Sequence, residues 1–322
     1  MLVEGVARLF PHQDRDGPRT GLVVADPHLI WRLKPVPSGP GRTNELGLRD
    51  TPYRASADVT VLVLGDSVSW GDSVGDVQQV YPQRLERLLE EQMPGRVVEV
   101  VNAGVPGYST FQERRYLERD GLALSPDLIV LQFCLNDLVE PYLSIAEYGG
   151  DNYFLGVDTR EAVQGALGVL VRHSRAVEAL VRALQNRGRR ALAFQVEKLT
   201  HVPLSRELQG AWADVTGEID RIQARAREHG IPVLLLIAPY RFQLNDPREL
   251  RQPQDHLIAY ARRSGLSYVD LLPHLVHAAD ATGESMLLDA SHLSAAGHAI
   301  AAQVLAARVT AMLAGQGDVA GG

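Results

Sequence analysis

The sequence predicts an α/β protein built on one open, five-stranded parallel sheet with helices on both faces. Two observations support this fold class. Five short runs rich in Val, Ile and Leu are bounded by turn residues, as is typical of buried parallel strands. Amphipathic stretches long enough for crossover helices lie between these runs. In such a sheet, ligands bind beyond the carboxyl ends of the strands, so the functional residues are expected there.

The strand and helix boundaries follow from the pattern of apolar residues. The predicted strands are Val59–Leu64, Val97–Val101, Leu128–Phe133, Pro232–Ala238 and Ser267–Leu271. The predicted helices between them include Tyr81–Gln92, Thr110–Leu122 and Trp212–His229. Because strands and helices alternate throughout, the core is expected to be one three-layer αβα unit.

Two segments fall outside this repeat. Residues 1–57 are rich in Pro, Gly and Arg, and we expect an N-terminal extension that packs on a core domain at 58–315. An insertion at about 141–210 follows the third strand. It begins with a loop that contains glycines and aromatic residues and continues as a helical pattern. The insertion could cap the site, although a helix that only packs on the sheet is the more ordinary interpretation.

Composition excludes several classes of function. Of the 322 residues, 45% are hydrophobic and 22% are charged, as in a globular enzyme. The net charge of −7 leaves no broad basic surface for nucleic acid. With Cys134 as the single cysteine, an internal disulfide and a multi-thiolate zinc site are both excluded.

The N-terminal sequence shows no apolar run long enough for a signal peptide or a membrane span. As written, the chain is therefore expected to be soluble and cytoplasmic. An export segment missing from the given sequence is the alternative.

A candidate nucleophile follows the first predicted strand. Gly65-Asp66-Ser67 stands where a tight turn would lift the serine hydroxyl into the ligand crevice. A second tripeptide of the same composition ends at Ser73, but no strand precedes it. Ser67 is therefore the predicted nucleophile, although Gly, Asp and Ser are also ordinary turn residues.

A candidate base lies near the C-terminus. In the segment Leu288–Ser294, Asp289 precedes His292 by three residues, before a helix that Ser294 is expected to cap. This spacing allows the carboxylate to accept the Nδ1 proton while Nε2 faces a serine hydroxyl. His298, inside the following helix, is expected to be structural or exposed.

Two other strand ends offer hydrogen-bond donors for an oxyanion. The segment Asn102–Tyr108 after the second strand contains Gly104 and Gly107, whose backbone N–H groups can approach a substrate closely. After the third strand, Asn136 offers a neutral amide donor. Each residue would be unremarkable alone, but together with the serine and the histidine they complete an acyl-transfer site.

These four blocks, in this order, resemble those of the SGNH/GDSL hydrolases. The resemblance covers roughly residues 58–140 and 230–310, and it implies a flavodoxin-like fold. It implies that Ser67 is the nucleophile and first oxyanion donor, that Gly107 and Asn136 are the other donors, and that Asp289 and His292 complete the triad. Gly107 is preferred because the family's donor glycine commonly sits five residues after the block's asparagine, although Gly104 remains open.

Two further features bear on this resemblance. The family's third block usually reads GxND, and Cys134 stands here in place of the glycine, which could narrow the pocket beside Asn136. The segment Thr43–Asp50 is similar to an N-G-x-R stretch that precedes the GDS block in a bacterial subset of the family.

We therefore predict a serine hydrolase that cleaves carboxylic esters through an acyl-enzyme and requires no cofactor or metal. The expected substrate carries a short acyl group such as acetyl on a carbohydrate or small metabolite; lipid esters and thioesters are also open. Acyl transfer to a second alcohol would use the same residues. A non-catalytic binding module is the alternative of another class, and the complete set of blocks argues against it. The sequence does not indicate an oligomeric state.

Overall fold

The computed structural model describes residues 22–38, 42–72, 74–138, 204 and 206–317. Within these residues, five strands form one parallel sheet in the order β4-β3-β5-β6-β7. These strands are β3 (Val59–Gly65), β4 (Val98–Gly104), β5 (Leu128–Phe133), β6 (Val233–Ile237) and β7 (Ser267–Asp270). The predicted α/β fold class is confirmed.

The strand order places a switch point beside β3. The chain leaves β3 to form β4 on one side and later returns to form β5 on the other side. In doubly wound sheets, a ligand crevice opens where the connections diverge in this way. The loops after β3, β4 and β5 therefore border the crevice.

The predicted strand positions are close to those observed, with one informative difference. The predicted second strand ends at Val101, but β4 continues to Gly104, which pairs with Gly65 of β3. Asn102 and Gly104 are therefore strand residues rather than loop residues. The apolar run ends earlier than the strand because Asn102 is a polar residue that is fully buried.

Helices cover the sheet, and one of them begins before its predicted limit. They are α1 (Ser67–Trp70), α2 (Tyr81–Gln92), α3 (Thr110–Tyr116), α4 (Arg206–Glu228), α5 (Arg241–Asn245), α6 (Gln252–Ser264), α7 (Leu271–Thr282) and α8 (Ala295–Gly317). A π turn at Leu117–Gly121 continues α3. Because α4 begins at Arg206, the last residues of the predicted insertion belong to this helix. Helix α2 packs against α8, and α3 packs against α4, which provides the two helical layers.

The described part of the N-terminal extension contributes to the core. Strands β1 (Val23–Asp26) and β2 (Ile30–Leu33) form an antiparallel pair. Trp31 is buried, and its ring lies 5.7 Å from that of Tyr108, centroid to centroid. The Tyr108 hydroxyl donates to the Trp31 carbonyl at 2.7 Å. These contacts join the extension to the loop that follows β4.

Among the strands that the structure describes, β4 lies at an edge of the sheet, and side chains cover its exposed backbone. The N–H of Asn102 donates to the Asp50 carboxylate at 2.7 Å, and the N–H of Val100 donates to Glu86 at 2.9 Å. Arg54 donates to the Val98 carbonyl and pairs with Glu86 at 2.7 Å. An uncovered edge would be a template for pairing with another chain.

Helix α8 is long and apolar. The stretch Ala295–Gly315 has the length and apolar content of a membrane span. Core helices share these properties, and α8 packs against α2 and α7.

Candidate active site

Ser67 is the first residue of α1, which begins immediately after β3. Asp66 caps this short helix, since its Oδ1 accepts the Val68 N–H at 2.8 Å. Gly71 ends the helix in a left-handed conformation with φ of 74°. The strand end and the two caps together hold the half-buried Ser67 at the switch-point edge of the sheet.

Ser67, His292 and Asp289 form a continuous hydrogen-bonded chain. His292 Nε2 lies 2.8 Å from Ser67 Oγ, and His292 Nδ1 lies 2.6 Å from Asp289 Oδ2. The other Asp289 oxygen accepts the backbone N–H groups of Ser291 and His292, each at 3.0 Å. The structure thus brings together three residues predicted from two distant segments, in the geometry needed for general-base activation of the hydroxyl.

The local charges favour a protonated imidazole. Burial lowers the pKa of His292, but the hydrogen bond to Asp289 and the carboxylates of Asp72, Asp289 and Asp66 outweigh it, so the pKa is raised above its ordinary value. Burial raises the pKa of Asp289, but the hydrogen bond and charge of His292, with the Ser291 N–H, hold it well below its usual range. Asp289 therefore stays ionised and stabilises an imidazolium.

Arg241 holds the loop that carries the base. Its backbone N–H donates to the Ala290 carbonyl at 2.7 Å. Its side chain donates to the carbonyls of Asp289 and Leu287, each at 2.6 Å. Since all three carbonyls lie just before His292, Arg241 fixes the approach of the imidazole to β3. The sequence offers little sign of this role, because Arg241 is a single arginine shortly after an apolar run.

Asn136 lies in a 3₁₀ turn, Leu135–Leu138, directly after β5. Its Nδ2 donates to Asp66 Oδ2 at 2.7 Å, which orients the amide toward the end of β3. An amide nitrogen carries two hydrogens, so the second remains for a ligand. Asp137 fixes the turn by accepting the N–H groups of Cys134 at 2.8 Å and Thr110 at 2.9 Å.

The structure distinguishes the two candidate glycines. The N–H of Gly104 donates to Asn102 Oδ1 at 3.1 Å, and a Cβ at Gly104 would lie 2.6 Å from the Trp70 backbone nitrogen. Gly104 therefore serves the close packing of β4 on α1. Gly107 lies in the loop beyond β4 with φ of 79°, and within the described residues its N–H has no acceptor. Of the two, Gly107 has the N–H that is available to an oxyanion.

Beneath the nucleophile lies a buried polar cluster that sequence reasoning missed. Gln132 Oε1 accepts the Asp66 N–H at 3.2 Å and the Ser69 hydroxyl at 2.9 Å. Burial raises the pKa of Asp66, although hydrogen bonds from Asn136, Val68 and Gln132 oppose this shift. A glutamine inside the apolar run LIVLQF was the available signal.

Other predicted residues fall in different places. His298 is fully buried in α8, where its Nδ1 accepts the Tyr81 N–H at 3.2 Å, so it is structural rather than exposed. Ser294 accepts the Gly297 N–H at 3.1 Å, which confirms the predicted cap. The alternative serine at position 73 and residues 139–203 of the insertion lie outside the described residues. Among those described, no cluster of His, Cys, Asp and Glu is arranged to hold a metal ion.

Comparison with known proteins is consistent with this geometry. The sequence profile of the GDSL-like lipase/acylhydrolase family matches residues 63–300. No curated protein matches the chain.

Similar solved structures include a lipolytic protein of the G-D-S-L family from Desulfitobacterium hafniense, at 15% identity and a TM-score of 0.44, covering 77% of this chain and 98% of that one. A catalytic mutant of an acetylxylan esterase from Geobacillus stearothermophilus aligns at 16% identity and a TM-score of 0.47, covering 77% and 93%. A two-domain esterase active on acetylated mannans aligns at 14% identity and a TM-score of 0.47, covering 80% and 50%.

Proposed function

The chain belongs to the GDSL-like lipase/acylhydrolase family, and from this premise we propose that it hydrolyses carboxylic esters through a covalent acyl-Ser67 intermediate. The observation that carries the proposal is the hydrogen-bonded chain from Ser67 Oγ to His292 at 2.8 Å and on to Asp289 at 2.6 Å. It lies at the carboxyl end of β3, where a doubly wound sheet binds its ligand.

Acylation begins when Ser67 Oγ attacks the ester carbonyl and its proton moves to His292 Nε2. Asp289 accepts the Nδ1 hydrogen bond, so it holds the imidazole in the required tautomer and stabilises the imidazolium. The carbon–oxygen bond to the leaving alcohol then breaks, and Nε2 gives its proton to that oxygen. Water repeats the sequence on the acyl-enzyme with His292 again as the base.

Three donors serve the oxyanion in this mechanism. They are the N–H of Ser67 at the start of α1, the N–H of Gly107 and the second Nδ2 hydrogen of Asn136. The three donors come from the ends of β3, β4 and β5, which are adjacent in the sheet. Donors that are fixed before the reaction stabilise the developing charge without reorganisation.

Exposure of the base supports hydrolysis over acyl transfer. The side chains of His292 and Asp289 are 18% and 51% exposed, so solvent reaches the base and its carboxylate partner. Acyl transfer to another alcohol would require the exclusion of water at this point.

The substrate class proposed is a neutral ester with a short acyl group, such as acetyl, on a carbohydrate or small metabolite. Supporting the neutral charge of this ester, the carboxylates of Asp72 and Asp289 lie 3.7 Å and 2.6 Å from the imidazole nitrogens. Negative charge beside the reacting centre disfavours anionic esters.

A panel of nitrophenyl esters of increasing acyl length tests the proposal. We expect hydrolysis by the full chain, with kcat/KM highest for acetyl and falling with each added methylene by about 10-fold or more. The Ser67→Ala variant should be inactive on every ester. Equal rates for wild type and Ser67→Ala would overturn the mechanism, and a preference for long chains would overturn the substrate class.

A further inference from the structure

We infer that Asp72 is a second carboxylate that stabilises the charge of the catalytic imidazolium, acting beside Nε2 through its charge and not through a hydrogen bond, and that Arg49 is the positioning residue that fixes it there. The inference rests on the proposed role of His292 as the base. It assigns a function to the Thr43–Asp50 segment and to the second GDS tripeptide, neither of which the mechanism so far uses.

The position of Asp72 carries the first step. Its Oδ2 lies 3.7 Å from His292 Nε2, and the same nitrogen lies 2.8 Å from Ser67 Oγ. The backbone N–H of Asp72 donates to the Ser67 carbonyl at 3.0 Å, so both residues belong to one turn. The carboxylate therefore borders the nitrogen that receives the serine proton.

This placement favours the transition state over the ground state. Before the reaction, Nε2 accepts the serine hydrogen bond and is neutral, so a nearby carboxylate gains little from it. Once the Ser67 proton reaches Nε2 and the Oγ–carbon bond forms, the imidazolium lies between Asp72 and Asp289. An interaction that strengthens as the charge develops lowers the barrier.

Within the described part of the chain, three carboxylates face the imidazole from the elements around it. Asp289 belongs to the loop of His292, Asp66 is the N-terminal cap of α1, and Asp72 follows the C-terminal cap of α1. Asp66 is buried and accepts from Asn136 at 2.7 Å, whereas the Asp72 side chain is 27% exposed. Because salt screens partly exposed charges, the contribution of Asp72 should weaken at high salt, whereas that of the buried Asp66 should not.

Arg49 fixes the turn that carries Asp72. Its buried guanidinium donates to the carbonyls of Trp70 and Val74 and, at 2.9 Å, to that of Gly71. The guanidinium carbon also lies 5.5 Å from the centroid of the Trp70 ring. One side chain thus binds the backbone on both sides of Asp72, as the planar arrangement of its five N–H donors allows and a lysine would not.

The local sequence presents Arg49 to this turn. Asn44 Oδ1 accepts the N–H groups of Leu46 and Leu48, each at 3.0 Å, and its Nδ2 donates to the Thr51 carbonyl at 2.8 Å. Gly47 has φ of 77°, and a Cβ there would lie 2.7 Å from the Leu33 carbonyl oxygen. Asn44 and Gly47 therefore fix the backbone of this stretch, and the fixed backbone places the Arg49 guanidinium against the turn of Asp72.

The test is the titration of His292 followed by NMR of the histidine-labelled full chain, in wild type, Asp72→Asn and Asp76→Asn. We expect Asp72→Asn to move the His292 midpoint to lower pH. The control Asp76→Asn should leave the midpoint unchanged. The Asp76 carboxylate accepts the Gln78 N–H at 2.9 Å and so caps the 3₁₀ turn Val77–Gln79, a role that asparagine can also fill. Molar salt should shrink the difference between wild type and Asp72→Asn. An unchanged midpoint in Asp72→Asn would overturn the inference.

Kinetics and Arg49 variants complete the test. Above both midpoints, kcat/KM of Asp72→Asn should fall by about two- to fivefold, as expected of a partly exposed ion pair. Arg49→Lys and Arg49→Gln are compared, and the one that unfolds with a native-like transition is used. In that variant the His292 midpoint should move to lower pH by as much as in Asp72→Asn. A variant that combines this Arg49 substitution with Asp72→Asn should shift the midpoint no further. An additive double variant, or a wild-type midpoint in the Arg49 variant, would refute the positioning role.

The NMR titration needs no substrate, so it separates this inference from the proposed function. If the midpoint moves but no ester is cleaved with or without Asp72, the proposed function fails. If esters are cleaved and the midpoint does not move, the inference alone fails.

Discussion

Asn136→Ala should cost both stability and rate, for separate reasons that the structure identifies. Asp66 is 1% exposed and accepts from Asn136 Nδ2 at 2.7 Å and from the Val68 N–H at 2.8 Å. A hydrogen bond to a charged group contributes about 1.5–3 kcal/mol, so the free energy of unfolding should fall by that amount. Loss of one oxyanion donor should lower kcat by about 100- to 1,000-fold.

A second substitution separates the two effects. In Asn136→Ala combined with Asp66→Asn, the buried carboxylate is replaced by a neutral amide that still caps α1. Urea unfolding should show recovery of much of the lost stability, while kcat for nitrophenyl acetate stays low. If Asn136→Ala retains kcat within threefold of wild type, Asn136 is only structural. If kcat recovers along with stability in the double variant, the oxyanion role is also refuted.

Four further predictions follow from the same contacts. Arg241→Ala should lower kcat/KM by about 10- to 100-fold at similar stability, because the loop of the base loses its position; wild-type kinetics would contradict this. The kcat/KM of wild type should rise with pH through a midpoint above the ordinary histidine value, because neutral His292 is the base and its pKa is raised; a midpoint below it would contradict the charge arrangement. Burial lowers the pKa of His298 to about 3 from 6.5, so folding favours its neutral form. The free energy of unfolding should therefore fall by up to about 1.4 kcal/mol per pH unit as the pH drops from 6.5 to 3. His298→Asn should reduce this slope in urea unfolding, and an unchanged slope would refute it. Gly107→Ala should lose about 1–2 kcal/mol of stability because alanine is strained at φ of 79°, and its kcat should be low because the oxyanion N–H shifts. Gly104→Ala should mainly lose stability through its clash with α1; the reverse pattern would exchange their roles.

The predicted site residues that the structure brings together are those with local signals in the sequence. Ser67 follows an apolar run and a glycine, Asn136 follows another run, and Asp289 and His292 are three residues apart in one loop. In a parallel sheet, strand ends meet at one edge, so local patterns predict a shared site.

Other features depend on contacts between distant segments. Arg241 binds a loop 48 residues further along the chain, and no local pattern marks such a pairing. Strand β4 extends to Gly104 because β3 offers a partner there, although the apolar run has ended. Helix α4 begins at Arg206, before its apolar repeat becomes regular. At Gly104, tertiary pairing overrides the local preference of the sequence.

The central claim is that Ser67 is the nucleophile, and labelling by a fluorophosphonate followed by peptide mass spectrometry tests it most directly. Ser69 provides a matched control, because its buried hydroxyl lies 2.6 Å from the Tyr81 hydroxyl and donates to Gln132 at 2.9 Å. We expect one label, on Ser67, that is lost in Ser67→Ala and retained in Ser73→Ala. A label on Ser69, on Ser73 or on any serine of the Ser67→Ala variant would contradict the account.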